Sequence, residues 1–208
     1  MSSEQFEPSP ADQYFTAEPA SQSLLRRRDV RLAGREVTVW TAGGIFSPDH
    51  IDRGTAVLLK HLPEPPTSGT FLDLGCGWGP LALTLALKSP EADVYAVDVN
   101  QRALDLMQRN ADTFKCGRIT VAEPEDIPGD VTFDLIWSNP AIRIGKDALH
   151  AMLMLWLPRL APGGSAYFVV SKNLGADSLQ GWLSDQDPEW NVDRVASDKG
   201  FRILRVQA

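Results

Sequence analysis

The segment DLGCGWG at residues 73–79 follows a short apolar stretch and precedes a helical one. Glycines at such a junction let the backbone turn tightly and approach a ligand, and the following helix offers free amides. The spacing is GxGxG followed by Pro80, whereas a nicotinamide-binding turn reads GxGxxG. Asp73 can hold a cationic amino group, and a pyrophosphate would prefer no acid there. The segment predicts a site for a nucleotide-type ligand; the alternative is a tight turn with a capping acid.

Asp98 ends the stretch VYAVDV, 23 residues after Gly75. An acid at the tip of the second strand of such a unit can accept hydrogen bonds from both ribose hydroxyls. Val99 and Asn100 would then flank the adenosine. The alternative is that Asp98 caps the helix beginning at Gln101. Because the glycine-rich turn is already present, we favour the ribose interpretation.

Two further polar segments follow later strands. Glu123, Glu125 or Asp126 could reach an adenine amine, although a solvated acidic run is an equally valid interpretation. Asn139 and Pro140 come directly after FDLIWS, where substrates bind in open α/β sheets. The Asn139 side-chain carbonyl and the Pro140 backbone carbonyl can accept two hydrogen bonds from an amine. Such positioning aims the amine's lone pair at an electrophile; the alternative is a turn initiated by Asn-Pro.

These segments share one edge of a sheet if strands alternate with helices, as the sequence predicts from residue 70 onward. The predicted strands are 71–75, 94–99, 119–123, 133–138, 165–171, 191–197 and 201–207. The predicted helices are 81–87, 101–111, 146–160 and 176–184. Because no helix separates the last two strands, we expect the last strand to be antiparallel. The fold class is α/β: a Rossmann-like, seven-stranded, mostly parallel sheet with helices on both faces, preceded by a short β-hairpin across 28–40 and a helix across 50–62.

The composition and charge of the chain argue against several classes of protein. The chain has 208 residues, ordinary globular composition and a net charge of −7, which argues against a general nucleic-acid coat. Two cysteines without a CxxC motif and three scattered histidines argue against a disulfide scaffold or a metal site. No apolar run is long enough to span a membrane, and the polar, acidic N-terminus is unlike a signal peptide. We predict a cytoplasmic protein with a flexible tail at 1–22, a hairpin and capping helix at 23–69, and a main domain at 70–208.

The segments DLGCGWG, AVDVN and FDLIWSNP, in this order, resemble motifs of class I methyltransferases that use S-adenosylmethionine. Other segments resemble the small-domain branch of that class, which is related to bacterial ribosomal RNA guanine-N2 methyltransferases. These segments are Tyr14-Phe15-Thr16, Thr41-x-x-Gly44-Ile45-Phe46-Ser47, Asp52-x-Gly54-Thr55, Gly175-Ala176 and Lys199-Gly200-Phe201-Arg202. The resemblance spans roughly residues 14–207.

The resemblance implies that residues 70–208 bind S-adenosylmethionine and that the methyl group goes to the N2 amine of a guanine in ribosomal RNA or a ribosomal subunit. No metal is implied. The implied cofactor-binding residues are Asp73, Gly75, Cys76, Gly77, Gly79, Asp98, Val99, Asn100 and Asp126. The implied catalytic residues, which hold the amine, are Asn139 and Pro140. The implied substrate-binding residues are Phe46, Ala141, Ile142 and Arg143.

Two departures from the family pattern keep alternatives open. The usual Asn-Pro-Pro is Asn-Pro-Ala here, and the characterised ribosomal enzymes carry an additional N-terminal domain. RNA contact could therefore rest on the arginines of residues 26–35 or on a partner. The alternatives are methylation of adenine or of a protein glutamine, and a cofactor-binding relative with little or no activity. Pro80 and the Asn139-Pro140 pair speak against a nicotinamide dehydrogenase.

Overall fold

The computed structural model describes residues 24–208, so the predicted tail lies outside the described residues. Within them, nine strands and five α-helices follow one another along the chain. In order they are β1 (Arg26–Leu32), β2 (Arg35–Thr41), α1 (Arg53–His61), β3 (Thr70–Leu74), α2 (Pro80–Lys88), β4 (Asp93–Val97), α3 (Gln101–Phe114), β5 (Ile119–Ala122), β6 (Phe133–Ser138), α4 (Lys146–Trp156), β7 (Leu160–Ser171), α5 (Ala176–Ser184), β8 (Asn191–Asp198) and β9 (Phe201–Gln207).

Seven of these strands form one sheet in the order β5-β4-β3-β6-β7-β9-β8. Neighbouring strands from β5 to β7 pair in parallel, and β9 pairs antiparallel with both β7 and β8. The order reverses at β3, because the chain first builds outward to β5 and then returns to place β6 on the other side of β3. Ligands of open α/β sheets bind at such a reversal, at the carboxyl ends of the strands. The predicted fold class, including the antiparallel last strand, is confirmed.

Apolar residues on alternating sides of the strands form two buried cores. One core contains the buried faces of α1, α2 and α3 together with the hairpin, and the other contains those of α4 and α5. In β7 the alternation is clear, since Tyr167 and Val169 belong to the first core while Phe168 and Val170 belong to the second. Helices therefore cover both faces of the sheet. None of the helices in residues 24–208 is long and apolar enough to cross a membrane.

The helix predicted across 146–160 ends earlier, at Trp156. Leu157–Arg159 form a 3₁₀ turn, and Leu160 already belongs to β7. Pro158 explains the difference, because it has no N–H for the helical ladder and its ring crowds the carbonyl four residues earlier. The other predicted elements from residue 70 onward are confirmed; β7 begins five residues before its predicted start, and the other bounds shift by at most three residues.

The hairpin β1–β2 is fastened to α3 by Asn110, which is fully buried. Its Oδ1 accepts a hydrogen bond from Trp40 N at 2.7 Å, and its Nδ2 donates to Trp40 O at 3.0 Å and to Trp78 O at 2.9 Å. One amide therefore satisfies both backbone groups of Trp40 and holds the glycine-rich turn as well. This contact fixes the hairpin beside the edge of the sheet where the polar segments lie.

Gly79 precedes α2 and lies against the side chain of Met107 from α3. A Cβ atom at Gly79 would overlap the Met107 sulfur, and the backbone φ of 99° is strained for any residue with a side chain.

We predict that Gly79→Ala lowers the free energy of unfolding by about 2–4 kcal/mol, the sum of left-handed backbone strain and overpacking. Chemical denaturation followed by circular dichroism measures this loss. Gly117→Ala is the control, because no atom lies within 4 Å of the position of its Cβ. Equal stability of the two variants would contradict the assignment of Gly79 to helix packing.

Candidate active site

A cavity of about 230 Å³ opens at the carboxyl ends of β3, β4 and β6. It brings together eight of the residues singled out from the sequence: Phe46, Gly75, Gly77, Asp98, Val99, Asn139, Pro140 and Ala141. Its remaining wall is mostly apolar, formed by Leu74, Val97, Ala103, Pro124, Ile144 and Met152. These six were not predicted, because their side chains are indistinguishable in sequence from ordinary core residues. We call this space the first cavity.

The glycine-rich turn is tied to the end of β4 by backbone hydrogen bonds. Gly75 N and Cys76 N both donate to Val97 O, at 2.8 and 2.9 Å. Gly77 has a φ of 55°, which glycine adopts without strain, and its N–H donates to Asp98 Oδ2 at 2.9 Å. A Cβ atom at Gly75 or at Gly77 would meet nothing within 4 Å. The turn therefore presents bare backbone to the cavity.

Asp98 directly follows the last residue of β4 and accepts hydrogen bonds with both carboxylate oxygens. Oδ2 accepts from Gly77 N, and Oδ1 accepts from Asn100 N at 2.9 Å. Burial raises the pKa of Asp98, and the backbone N–H donors oppose that rise. Each oxygen keeps a further lone pair, so this carboxylate can also accept hydrogen bonds from a diol in the first cavity.

Five of the residues implied as cofactor contacts do not line this cavity. Asn100 is buried as the N-cap of α3, where it accepts from Arg102 N and Ala103 N, and it also donates to Gly44 O. Cys76 is buried beneath the turn, and Gly79 packs against Met107. Asp126 is exposed in the 3₁₀ turn Pro124–Asp126, of which only Pro124 reaches the cavity. Asp73 is buried in β3.

The Asp73 carboxyl group has one satisfied and one orphaned oxygen. Oδ2 accepts from Ala82 N in the first turn of α2 at 2.8 Å, while Oδ1 finds no hydrogen-bond partner among residues 24–208. Burial raises the pKa of Asp73 to about 8, and the nearby Asp98 adds to the rise. The folded protein therefore keeps a proton on this acid at neutral pH.

Asn139 lies directly after β6, and its amide is held from the capping helix α1. Nδ2 donates to Asp52 Oδ2 at 2.9 Å and to Thr55 Oγ1 at 3.0 Å. A carboxylate cannot donate, so the NH₂ group must face Asp52 and Oδ1 is left as the acceptor. Gly54 permits this approach, since a Cβ there would lie 2.9 Å from Asp52 Oδ2 and 3.3 Å from Asn139 Oδ1.

The role of Asp52 and Thr55 towards Asn139 was missed from the sequence. The pattern Asp-x-Gly-Thr before a helix indicates an N-cap, and Asp52 is that cap, with Oδ2 accepting from Gly54 N at 2.7 Å. Asp52 and Asn139 are 87 residues apart, so the second use of the same oxygen depends on tertiary structure alone.

The backbone after Asn139 makes a tight turn. Ile142 N donates to Pro140 O at 2.8 Å around Ala141, whose φ is −72° and ψ is 73°. Pro140 O therefore already accepts one hydrogen bond and keeps one lone pair for another. The φ of Ala141 lies within the range that a proline ring imposes. The loop thus has a φ that the more usual second proline would also impose.

A second cavity of about 340 Å³ adjoins the first across Phe46, Asn139, Pro140 and Ala141, which line both. Its other walls come from Asp52, Ile142, Val169, Ser171, Leu174 and Phe201. Phe46 and Ile142 were predicted to contact a base, and both lie here. Arg143 lies in the 3₁₀ turn Ile142–Ile144. Val169, Ser171, Leu174 and Phe201 come from β7, the segment after β7 and β9. The sequence did not predict that these four residues line a cavity.

Two of the five arginines of the hairpin are paired with an acid. Arg26 and Arg28 form ion pairs with Asp49, at 3.4 and 2.7 Å. Arg27 lies over the ring of Trp40, with its guanidinium carbon 5.6 Å from the ring centroid, and Arg31 is directly opposite Glu36 in the strand register. Part of the local positive charge expected from the sequence is therefore offset.

The two cavities meet at an acceptor, Asn139 Oδ1, and a free carbonyl lone pair on Pro140. This arrangement can hold an amine from one cavity against an electrophile in the other. Among the described residues, no group of three His, Cys, Asp or Glu side chains could hold a metal ion.

This sheet order and this edge are those expected of the class I, S-adenosylmethionine-dependent methyltransferase domain that the sequence resembles. The chain belongs to the methyltransferase small domain family, whose model matches residues 36–205. The family resemblance and the cofactor predicted from the sequence are thereby confirmed.

Several relatives are similar over most of this chain. YbxB of Bacillus subtilis, an uncharacterized protein, is 29% identical over 95% of this chain and 98% of its own length. Ribosomal RNA small subunit methyltransferase C of Pseudomonas putida is 36% identical over 94% of this chain, but over only 58% of its own length. Ribosomal RNA large subunit methyltransferase G of Streptomyces avermitilis is 31% identical over 84% of this chain and 46% of its own length. The chain thus spans about half of the named methyltransferases.

Among solved structures, a T. thermophilus 16S rRNA N2 methyltransferase in complex with AdoMet and guanosine superimposes with a TM-score of 0.75. It is 24% identical, and the match covers 91% of this chain and 52% of that chain. This likeness shows the shared fold.

The orphaned Asp73 carboxyl group predicts a pH-dependent stability. Between about pH 4 and about pH 8 the unfolded chain ionises this acid while the folded chain keeps the proton. Stability is therefore lost as pH rises through this window, by up to about 1.4 kcal/mol per pH unit. Asp73→Asn, which still accepts from Ala82 N, removes this loss.

Urea denaturation at several pH values checks this prediction. Asp134→Asn is the control, since it alters an exposed carboxylate that accepts from Thr70 N at 2.8 Å and leaves the Asp73 contribution in place. If Asp73→Asn lost as much stability with rising pH as the wild type does, a group other than Asp73 would have to hold the proton.

Proposed function

We propose that this protein transfers a methyl group from S-adenosylmethionine to the N2 amine of a guanine in ribosomal RNA. The observation that carries the proposal is that two acceptors, Asn139 Oδ1 and the Asp52 carboxylate, lie together in the lining of the second cavity. Guanine carries N–H donors at both N1 and N2 on one edge, which complements two acceptors. Adenine carries an acceptor beside its amine, so it does not complement two acceptors. A glutamine side-chain amide likewise has no second N–H group beside its own.

The residues of the first cavity fit the proposed cofactor. Gly75 and Gly77 leave open backbone, Asp98 offers free lone pairs to ribose hydroxyls, and exposed Val99 gives an apolar surface for an adenine ring. Asp73 lies near Asp98, and once its carboxyl group has released its proton the orphaned Oδ1 would accept from a cationic amino group. S-adenosylmethionine, when bound, supplies an electrophilic methyl group.

The chain's own contribution to the reaction is positional. Asn139 Oδ1 and the remaining lone pair of Pro140 O accept the two hydrogens of the amine, which turns the nitrogen lone pair towards the first cavity. Phe46 and Ile142 offer apolar surfaces for the ring in the second cavity. The methylated amine then loses its extra proton. The base must be single-stranded or extruded to enter, because an amine inside a duplex is out of reach.

The first experiment measures label transfer from methyl-labelled S-adenosylmethionine. The acceptors are undermethylated small subunits, large subunits, naked ribosomal RNA and total protein. We expect label in guanine N2 of one RNA and a loss of about 100-fold in Asn139→Ala, since misplacing a reacting group has costs of this order. Asn191→Ala, an exposed asparagine at the start of β8, is the matched control and keeps full activity.

Other outcomes would replace the proposal. Label in protein would support glutamine methylation, and label in adenine would support the other nucleic-acid alternative. No label in any acceptor, with S-adenosylmethionine binding shown by calorimetry, would indicate a cofactor-binding relative without activity.

A second prediction concerns Asp52 as the residue that positions Asn139. Asp52→Ala frees the Asn139 amide to rotate and present Nδ2 to the substrate, so kcat/KM for RNA should fall by about tenfold to 100-fold. Asp52→Asn can still accept from Asn139 Nδ2 and cap α1, so it should retain more of kcat than the alanine variant. Affinity for S-adenosylmethionine should not change in either variant.

Loss of the N-cap alone lowers the free energy of unfolding by about 1 kcal/mol. This loss of stability must be separated from the effect of the substitution on the reaction. Asp187→Ala is the control, because it removes a similar local bond, from Glu189 N to Asp187 Oδ1 at 2.9 Å, far from the site in the fold. Equal activity of Asp52→Ala and Asp187→Ala would refute the positioning role.

A further inference from the structure

Three cationic residues lie close in the sequence to residues that line the second cavity. Arg53 follows Asp52, Lys172 follows Ser171, and Lys199 lies two residues before Phe201. Asp52, Ser171 and Phe201 all line the cavity. We call Arg53, Lys172 and Lys199 the cationic rim. All three are exposed.

The members of the cationic rim come from separate elements that the fold brings together. Arg53 and Lys199 line the same surface depression of about 300 Å³, between α1 and the β8–β9 turn. Lys172 N donates to Gly200 O at 2.9 Å, which places Lys172 beside that turn. The three residues are therefore near the part of the second cavity that Asp52, Ser171 and Phe201 line.

No member of the cationic rim forms an ion pair within residues 24–208, whereas eight other Lys and Arg side chains in that range do. The paired ones are Arg26 and Arg28 with Asp49, Lys60 with Asp198, Lys88 with Glu64, Arg118 with Asp93, Arg194 and Arg202 with Asp177, and Arg205 with Asp193. In a chain with a net charge of −7, three exposed cations near one cavity form a local concentration of positive charge.

The two acids next to the rim in sequence are already bonded elsewhere. Asp198 accepts from Lys60 at 2.7 Å and from His61 at 2.9 Å, and these two bonds lower its pKa to about 2. Asp52 accepts from Gly54 N and from Asn139 Nδ2. Lys199 therefore remains available to an anion from outside.

The position of Arg53 also has no local explanation. It is the first residue of α1, where the helix dipole disfavours a positive charge. Its side chain makes no ion pair among the described residues that would offset this cost. A cation at this point is therefore suited to an external anion.

We propose that the cationic rim binds the backbone phosphates of a single-stranded RNA segment on either side of the target base. This inference rests on the proposed function for its substrate. A base inserted in the second cavity would leave its flanking phosphates outside it, within reach of cations next to the residues that line it. The cationic rim supplies the attraction to RNA that an acidic protein otherwise lacks.

The test is the salt dependence of RNA binding, measured without methyl transfer. The probe is a short fluorescein-labelled single-stranded RNA of mixed sequence, followed by anisotropy over a range of potassium chloride concentrations. The rim variant carries Arg53→Gln, Lys172→Gln and Lys199→Asn; asparagine suits the left-handed φ of 48° at residue 199. The control variant carries Arg26→Gln, Arg31→Gln and Arg35→Gln in the hairpin.

We expect the rim variant to bind about tenfold more weakly and to lose about 2 from the slope of log affinity against log salt, since each single-strand phosphate contact contributes about 0.7. The control should lose less than half as much. Thermal stability should not fall in the rim variant, because Arg53→Gln removes a charge that opposes the helix dipole.

Several results would overturn the proposal. These are an unchanged slope in the rim variant, an equal or larger loss in the hairpin control, absence of salt-dependent RNA binding by the wild type, or equally weakened binding of a polyglutamate peptide of matched charge. Failure of the proposed function gives a different pattern. In that case the wild type methylates no RNA, yet the rim variant still loses slope relative to the control.

Discussion

One carboxylate oxygen connects the two halves of the site. Asp52 Oδ2 accepts from Gly54 N, Thr55 N and Asn139 Nδ2, so the same atom starts helix α1 and fixes the amide at the end of β6. The Asn139 amide therefore holds helix α1 against the edge of the sheet, and Asp52 at the start of that helix orients the Asn139 amide. Removing either partner leaves a polar group with unmet hydrogen bonds in a confined place, and this mutual dependence keeps the wall between the cavities in one geometry.

The glycine-rich turn is fixed in a comparable way from β4. Val97 O accepts two backbone N–H groups of the turn, and Asp98 accepts a third from Gly77. Asn110 then joins the turn to the hairpin through Trp78 O and the backbone of Trp40. Bonds of this kind leave side-chain and backbone acceptors of the first cavity in place before any ligand arrives, which lowers the ordering cost of binding.

The sequence was most informative where local rules apply. Hydrophobic patterning and glycine positions predicted the sheet and the three strand ends that Gly77, Asp98 and Asn139 follow, and the absence of a helix between the last two strands predicted the antiparallel one. It was least informative where one residue type serves several roles. Asn100 and Cys76 sit within the right motif, yet one caps a helix and the other fills space, because the motif fixes position along the chain and not the direction of a side chain. Asp52, Ser171 and Phe201 reach the site through tertiary packing alone.

The residues that line the two cavities also emerge at different times as the chain is synthesised. Every residue lining the first cavity lies between Phe46 and Met152, whereas the second needs Phe201 from β9, which pairs beside β7. Because synthesis proceeds from the N-terminus, the parallel strands that form the first cavity emerge earlier. The first cavity therefore draws only on residues that emerge before the second cavity has a complete wall. A chain cut short before β9 would lack Phe201 and leave the second cavity open on that side.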